Sequence, residues 1–457
     1  MTPTSPAAAI DRPGDVVLRE NVLTALPAEV VERAAAEEWA SVGVAVDRRL
    51  GDASDGWRVR AERLVGVAEF GRDPGGIRLR IDPKIAADHF LLADWAFGRI
   101  RNIGAETRRV AHIDVSRRDP SACLVAWYLD SLEGFVVRWL RRNFQLRTET
   151  LVGRARGHIA VGEYVSRYLA TARPHHVPCQ FLEASRDTLQ NRILRRALSE
   201  SARLIPSLPI PESRRELTRT VLRIEPFLSG VTNQLIAPGD FKRVRLGRSQ
   251  RHYEPMLSRS EAFLSGLFFT RHFGAHRQRA FLWDASLLFQ EALRGILGSW
   301  DEVTLDDSRG RAALLDHNGK RHSSTKVDPD YVLRGERGVF VLDAKWKDVV
   351  VKRASTTAVA SDEDHIVDTP TGVRIRVRRS DVYQAVSYGR YRRHAPCSTG
   401  LVYPLALGAG DNLPEPMRVT GFGEPVWILF IDVGDCAESR FSEFFAAVSA
   451  AWSSSGG

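Results

Sequence analysis

The sequence predicts a mixed α/β protein of several domains, with a strand-rich N-terminal region, a helical middle and a C-terminal α/β domain. Three observations predict it. At 457 residues the chain has room for roughly two to four domains. Its hydrophobic fraction of 44% suffices for buried cores and is too high for a wholly disordered chain. The last third orders its elements helix, strand, strand, helix, strand, which is an α/β order.

Each element has its own signal. Residues 1–15, rich in Pro, Ala and Thr, read as a loose tail, and 27–40 as an Ala/Glu-rich helix. Residues 57–70 and 77–81 read as strands around the turn signal Gly71-Arg72-Asp73-Pro74-Gly75-Gly76. Ile77-Arg78-Leu79-Arg80-Ile81 alternates strictly, as a half-buried strand does. Helices follow over 89–101 and 121–144, then strands over 147–160. Residues 187–205 form an amphipathic helix with Leu189, Ile193, Leu194 and Leu198 on one face, ended by the prolines of 206–211. Residues 215–230 are helical, and 241–251 form a loop with five cations and no acid. Farther on, 280–300 is a helix, 326–333 and 339–343 are strands, and 350–370 is a polar insertion. A helix over 379–394 and short strands at 401–403 and 427–433 complete the chain. These elements suggest a tail (1–15), an N-terminal domain (16–105), a mostly helical linking domain (106–275) and a C-terminal domain (276–457).

Composition narrows the class. No apolar run approaches the ~20 residues of a membrane span, and the first residues lack the cationic start and apolar stretch of a secretory signal. Four cysteines (Cys123, Cys179, Cys397, Cys436) lie far apart with no CxxC spacing, against a zinc site or a disulfide scaffold. The expected compartment is therefore the cytoplasm. The formal charge is +9, and only seven of the 65 cations are lysines. Arginine grips phosphate in a bidentate fork, but a chain rich in Ala, Gly and Val can also owe its arginines to genome composition. Cations concentrate in 138–156, 242–251 and 374–393. Such patches give sequence-independent, salt-sensitive contact with nucleic acid, or they are solvated faces and internal ion pairs.

The chemistry lies in Lys326-Val327-Asp328-Pro329-Asp330-Tyr331-Val332-Leu333 and Val339-Phe340-Val341-Leu342-Asp343-Ala344-Lys345-Trp346-Lys347. Two apolar runs flank a Gly-containing turn, a hairpin pattern. A turn centred between Glu336 and Arg337 puts Asp330 opposite Asp343, with Lys345 on the same face as Asp343. Two close carboxylates repel unless one is protonated or a cation sits between them. All-oxygen ligation favours Mg²⁺, and a neighbouring lysine suits metal-assisted phosphodiester hydrolysis. Downstream, Gln384 and Tyr388 share a helix face at i, i+4. Upstream, Asp284 and Glu291 share a face, with Gln290 about 100° away.

At these residues the sequence resembles the PD-(D/E)xK nuclease superfamily, with Pro329-Asp330 and Asp343-Ala344-Lys345 as its core and Gln384…Tyr388 as its frequent QxxxY addition. More narrowly it resembles the McrC family of modification-dependent restriction systems. Leu79-Arg80-Ile81-Asp82-Pro83-Lys84-Ile85 is similar to that family's "PKI" strand, and Arg156-Gly157-His158-Ile159 to its "RGxI". Cys179-Gln180-Phe181 and Asp187-Thr188-Leu189-Gln190-Asn191-Arg192-Ile193-Leu194 resemble its central motif. Phe281-Leu282-Trp283-Asp284…Leu288-Phe289 resembles the helix before its hairpin, and Asp343-Ala344-Lys345-Trp346-Lys347 its "D-[AT]-K-[WY]-K".

The resemblance implies an Mg²⁺-dependent DNA endonuclease domain at 276–457 and an N-terminal domain that binds an McrB-like AAA+ GTPase hexamer. It also implies double-stranded, modified DNA as substrate. Asp330, Asp343, the Ala344 carbonyl and, with a shifted helix, Glu291 would ligate the metal. Lys345 would position the water, and Gln384 would orient that lysine or the phosphate. Arg374, Arg376, Arg378 and Arg379, beside the hairpin, would contact DNA. No G-x-x-x-x-G-K-[ST] is present, in keeping with a partner that carries the nucleotide site. The chain departs from the family in one place: Gln290 stands where Glu is common, followed by Glu291. That departure leaves open a regulatory adaptor that activates the AAA+ ring without cutting. A nuclease that acts alone is a third possibility.

Overall fold

The computed structural model describes residues 15–48, 56–71, 76–97, 120–140, 143–266, 268–269, 279–306, 310–315, 321–327, 329–350, 364–368, 374–391, 397–407, 411–421, 425–434 and 441–454. The tail (1–14), Cys436 and most of the polar insertion (351–363 and 369–370) fall outside them. The chain is mixed α/β, with a strand-rich N-terminal part, helices in the middle and a C-terminal sheet. It divides into two compact units. One draws on residues 1–127, 207–213 and 266–457, the other on 128–206 and 214–265. The N-terminal and C-terminal segments that the sequence separates thus lie in one unit.

That unit contains two principal sheets. The first has the order Asp15–Arg19, Ile77–Asp82, Leu64–Phe70, Arg279–Asp284, Phe268–Phe269. Asp15–Arg19 runs parallel to Ile77–Asp82, and the other pairs are antiparallel. Ile77, Leu79 and Ile81 are buried, as the alternation demands. Leu23–Pro27, Gly56–Ala61 and Val44–Arg48 form a small antiparallel sheet that shares the same core around Trp39.

The second sheet has the order Thr304–Asp306, Tyr331–Gly335, Gly338–Ala344, Cys397–Leu405, Val426–Asp432, Met417–Val419. Its three central strands, Gly338–Ala344, Cys397–Leu405 and Val426–Asp432, are parallel neighbours. The latter two are buried at every residue. Continuous burial is what parallel strands covered on both faces require. The helix Arg379–Tyr391 supplies Val382 and Ala385 to the core beneath Leu401, Tyr403 and Ile428.

In the other unit, Asn143–Val152 pairs antiparallel with His176–Ser185 along ten residues, and His158–Ile159 adds to the far side. The helix Leu189–Leu204 follows, with Ile193, Leu194, Ala197 and Leu198 buried. Thr188 is its N-cap, its side chain accepting from the Asn191 backbone N–H.

Several boundaries differ from the sequence reading for physical reasons. The helix expected at 27–40 is two short ones, Ala28–Val31 and Ala36–Ser41. The helix expected to reach 144 ends at Trp139, and Phe144 is already in a strand. The loop expected at 241–251 is partly helical, through Pro238–Arg243 and Arg248–Tyr253. The strand expected at 326–333 is two, Arg321–Val327 and Tyr331–Gly335. Pro329 lies between them, lacking the N–H a ladder needs.

The expected helix at 280–300 is a strand, Arg279–Asp284, then the helix Ala285–Gly298. Asp284 separates them as N-cap, accepting from the Ser286 and Leu287 N–H groups at 2.9 and 3.1 Å. The apolar run Ala280-Phe281-Leu282-Trp283 is compatible with either element, and its pairing partner is the distant strand Leu64–Phe70.

Helix Ala285–Gly298 crosses helix His89–Phe97 at Gly295. A Cβ there would stand 1.9 Å from the Trp95 carbonyl oxygen. No rotamer change relieves a clash with backbone, so Gly295→Ala should force the helices apart. The expected cost is at least ~1–3 kcal/mol, the usual range for overpacking, read as a lowered midpoint in thermal or urea unfolding.

Candidate active site at the hairpin

The hairpin register is Tyr331↔Leu342, Val332↔Val341, Leu333↔Phe340, Arg334↔Val339 and Gly335↔Gly338. The turn is therefore centred between Glu336 and Arg337, as the sequence pattern requires. Asp330 sits one residue before the first strand, and Asp343 lies near the end of the second. Asp343 is 3% exposed, at the end of a run buried from Val339 onward.

Several groups hold Asp330. The Ala344 backbone N–H donates to its Oδ2 at 2.8 Å, and the Gln290 Nε2 lies 3.3 Å from each carboxylate oxygen. Arg294 donates to the Asp330 carbonyl at 3.2 Å. Buried Tyr331 donates its hydroxyl to the Gln290 carbonyl at 2.6 Å, fastening the hairpin to helix Ala285–Gly298. Burial, and then the negative charge of Asp343, push the Asp330 carboxyl up to about 7. Burial likewise raises Asp343, and Lys345 opposes that rise.

Lys345 forms an ion pair with Asp343 and donates to Gln384 Oε1 at 2.7 Å. The Gln384 amide in turn donates to the Tyr388 hydroxyl at 2.7 Å, so the i, i+4 pair acts as one unit on its helix. The structure thus brings Asp330, Asp343, Ala344, Lys345 and Gln384 together. It brings Gln290 to Asp330 in place of Glu291, whose carboxylate faces Arg294 at 3.8 Å on the same helix. Among the described residues there is no group of three or more His, Cys, Asp or Glu side chains fit to hold a metal ion. The anionic set is the two aspartates, and Asp284 serves as a helix cap.

A second layer was absent from the sequence reading. Lys347 Nζ donates to both oxygens of buried Asp381, at 2.6 and 2.7 Å. Tyr403 donates to the same carboxylate at 3.0 Å, and burial, then Asp381, raise its phenol. Lys347 lies two residues beyond Lys345 and Asp381 three before Gln384. This ion pair therefore ties the segment after strand Gly338–Ala344 to the glutamine helix. The spacing K-x-K against D-x-x-Q is the signal that could have found it.

Arg374, Arg376 and Arg378 share one face of the strand Arg374–Arg378, whose other face buries Ile375 and Val377. Arg374, Arg378 and Arg379 are exposed. The antiparallel register sets Asp368 opposite Arg374 and Asp364 opposite Arg378. In the 138–156 stretch, two of the described arginines have internal partners. Arg147 pairs with Glu183 at 2.6 Å, and Arg156 lies over the Phe181 ring.

The central motif is structural too. Asp187 binds Arg192 and the Thr232 backbone and hydroxyl, which hold its carboxyl well below the usual range. Asn191 accepts from Tyr253 at 3.1 Å and donates to the Arg186 carbonyl at 2.8 Å. Gly157 has φ +70°, and a Cβ there would stand 2.4 Å from the Gln180 carbonyl.

The fold and the site define a mixed α/β protein that presents a Pro-Asp and an Asp-Ala-Lys from one hairpin beside a glutamine helix. Comparison with known proteins gives the particular group: the model of the McrBC 5-methylcytosine restriction system component family matches residues 59–404, and the chain belongs to that family. Among solved structures it is similar to a chain of the half-complex refined from the tetradecameric assembly of Thermococcus gammatolerans McrB AAA+ hexamers with bound McrC. Identity is 17%, with 95% of this chain and 100% of that chain covered and a TM-score of 0.56. A chain of the cryo-EM structure of the Thermococcus gammatolerans McrBC complex matches at 16% identity, covering 62% of this chain and 87% of that one, with a TM-score of 0.40. No curated protein matches. Among the described residues, no helix is long and apolar enough to cross a membrane.

The raised Asp330 carboxyl makes a prediction whose sign is fixed. A carboxyl raised from 3.8 to about 7 binds its proton more tightly in the folded chain than in the unfolded one. Ionising it costs stability, and the loss accrues as pH climbs from about 4 through about 7. Without divalent metal, melting should fall by several degrees between about pH 5.5 and pH 8. Asp330→Asn should flatten that slope, as followed by scanning calorimetry.

Proposed function

We propose that this chain is the Mg²⁺-dependent DNA endonuclease subunit of an McrBC-type, modification-dependent restriction system, cutting DNA in assembly with an AAA+ GTPase that it stimulates. One observation carries the reading: buried Asp343 and half-buried Asp330 meet at a strand end, with Lys345 reaching both Asp343 and Gln384. Carboxylates that partial or full burial pushes toward neutrality are a donor set that a hard divalent cation fits, since the cation supplies the charge that desolvation withholds.

Asp330, Asp343 and the Ala344 carbonyl would hold the metal. Bound there, Mg²⁺ supplies electrophilic polarisation of a phosphodiester and lowers the proton affinity of water. The protein's own residues do the rest. Lys345 holds a water or a phosphate oxygen, and its contact with Gln384 fixes where its ammonium points. The Lys347–Asp381 pair keeps that glutamine helix at the strand end. Arg374, Arg376, Arg378 and Arg379 offer cations near the hairpin for the phosphate backbone.

The partner reading rests on family membership, supported by the description of the similar Thermococcus chain's assembly, McrB AAA+ hexamers with bound McrC. The match there is a likeness of fold. Unmodified and 5-methylcytosine DNA are the substrates to compare, because the family description names that base.

A second reading has its own support. Gln290 meets Asp330 where a further acid would strengthen the cation site, so a non-cleaving adaptor that activates the ring is the competitor. Both readings are tested by incubating supercoiled methylated plasmid with the chain, Mg²⁺, GTP and its AAA+ partner. Asp343→Ala should abolish cleavage, a loss of at least ~10³-fold, while GTP hydrolysis by the partner stays stimulated. Stimulated hydrolysis without cleavage by the unaltered chain would make it the adaptor.

A further inference from the structure

We propose that Glu20 is a positioning residue for the catalytic segment: its carboxylate, clamped by Lys84, seats the Trp346 indole and so fixes where Lys345 and Lys347 stand. The inference rests on the nuclease reading for its effect on cleavage, and on geometry alone for the placement of the lysines.

Strands Asp15–Arg19 and Ile77–Asp82 run parallel, so their C-terminal ends emerge side by side. The Glu20 backbone N–H continues the ladder to the Asp82 carbonyl at 2.8 Å. Its side chain is only 2% exposed. Lys84 Nζ lies 2.5 Å from Oε1, the Lys84 backbone N–H 3.3 Å from Oε2, and Arg19 donates to the Lys84 carbonyl at 2.7 Å. A buried carboxylate is tolerated only with such partners. It then accepts one more bond, from Trp346 Nε1 at 3.1 Å.

Trp346 is the centre of a three-residue turn in which the Lys347 backbone N–H donates to the Lys345 carbonyl at 2.8 Å. The indole at the turn is directed to Glu20, while the two lysines that flank it meet Asp343, Gln384 and Asp381. Trp346 is nearly fully buried, against Phe289 and the edge of His89. Burial lowers the His89 imidazole to about 4, so it is neutral at physiological pH and leaves the Glu20 charge to Lys84. An indole is a donor only, so its direction is set by the acceptor. Glu20 is that acceptor.

A tryptophan that merely filled space would be indifferent to the acceptor, and this difference is what the experiment reads. The full chain is treated with an amine-acetylating reagent, and labelling of each lysine is followed by mass spectrometry, with exposed Lys242 as internal reference. Cleavage of plasmid with the AAA+ partner is measured in parallel as kcat and KM. Lys84→Met, which strands the carboxylate, and Glu20→Leu, which removes it, should speed acetylation of Lys345 and Lys347 severalfold. Each should lower kcat by about tenfold or more, as small misplacements of reacting groups do, with KM within about twofold.

The double variant Glu20→Gln with Lys84→Met keeps a neutral acceptor for the indole and buries no charge. It should restore both readouts to within about threefold of the unaltered chain. Unchanged acetylation of Lys345 and Lys347 in Glu20→Leu and Lys84→Met would overturn the proposal, and so would failure of the double variant to restore protection. If the unaltered chain cuts no DNA, the nuclease reading fails, and the acetylation pattern still decides the role of Glu20.

Discussion

Two carboxylates drawn together away from open solvent, buried Asp343 and half-buried Asp330, are the constraint around which this part of the molecule is arranged. Like charges in a buried site raise each other's proton affinity unless neighbours supply compensation. Each neighbour here supplies a share: the Ala344 N–H and the Gln290 amide at Asp330, and Lys345 at Asp343. Burial outweighs these shares, so both carboxyls remain raised.

The scaffold that maintains this imbalance spans most of the chain length. Asp343 lies in a strand hydrogen-bonded on one side to its hairpin partner and on the other to the parallel strand Cys397–Leu405. Gln290 comes from a helix whose N-cap, Asp284, ends a strand of the N-terminal sheet. Gly295 sets that same helix directly on the helix His89–Phe97. The position of the amide at Asp330 therefore depends on residues before 100 as much as on its own segment. For this reason the N-terminal and C-terminal segments, far apart in the sequence, share one compact unit.

The hairpin was legible in the sequence because two local rules determine it. A side-chain period of two and a turn centre between Glu336 and Arg337 fix every pair, and the observed register follows them. Its neighbours were harder because their positions are set at long range. Ala280-Phe281-Leu282-Trp283 has no local feature that prefers strand over helix; its partner Leu64–Phe70 decides. That decision places the helix start at Asp284 and hence brings Gln290, and not Glu291, to Asp330. Lys347 has no partner legible nearby in the sequence; the helix Arg379–Tyr391 brings Asp381 to it. The Asp187…Asn191 motif, similar to the family's central segment by residue type, is a set of structural hydrogen bonds.

The scarcity of lysine gains meaning from the same geometry. Of the four lysines whose side chains are described, Lys84, Lys345 and Lys347 each bind a buried carboxylate, Glu20, Asp343 and Asp381 respectively, while Lys242 is exposed. An arginine fork is planar and presents five donors in a fixed pattern, whereas an ammonium is a compact charge with three rotatable donors. At a strand end already crowded by tryptophan and tyrosine, the compact group meets a carboxylate without displacing its other partners. Lys345 further divides its donors between Asp343 and Gln384, in directions a rigid fork does not offer. In a chain that otherwise uses arginine almost everywhere, three of these four lysines stand on buried acids, whereas the buried Glu200 of helix Leu189–Leu204 takes two arginines, Arg196 and Arg203.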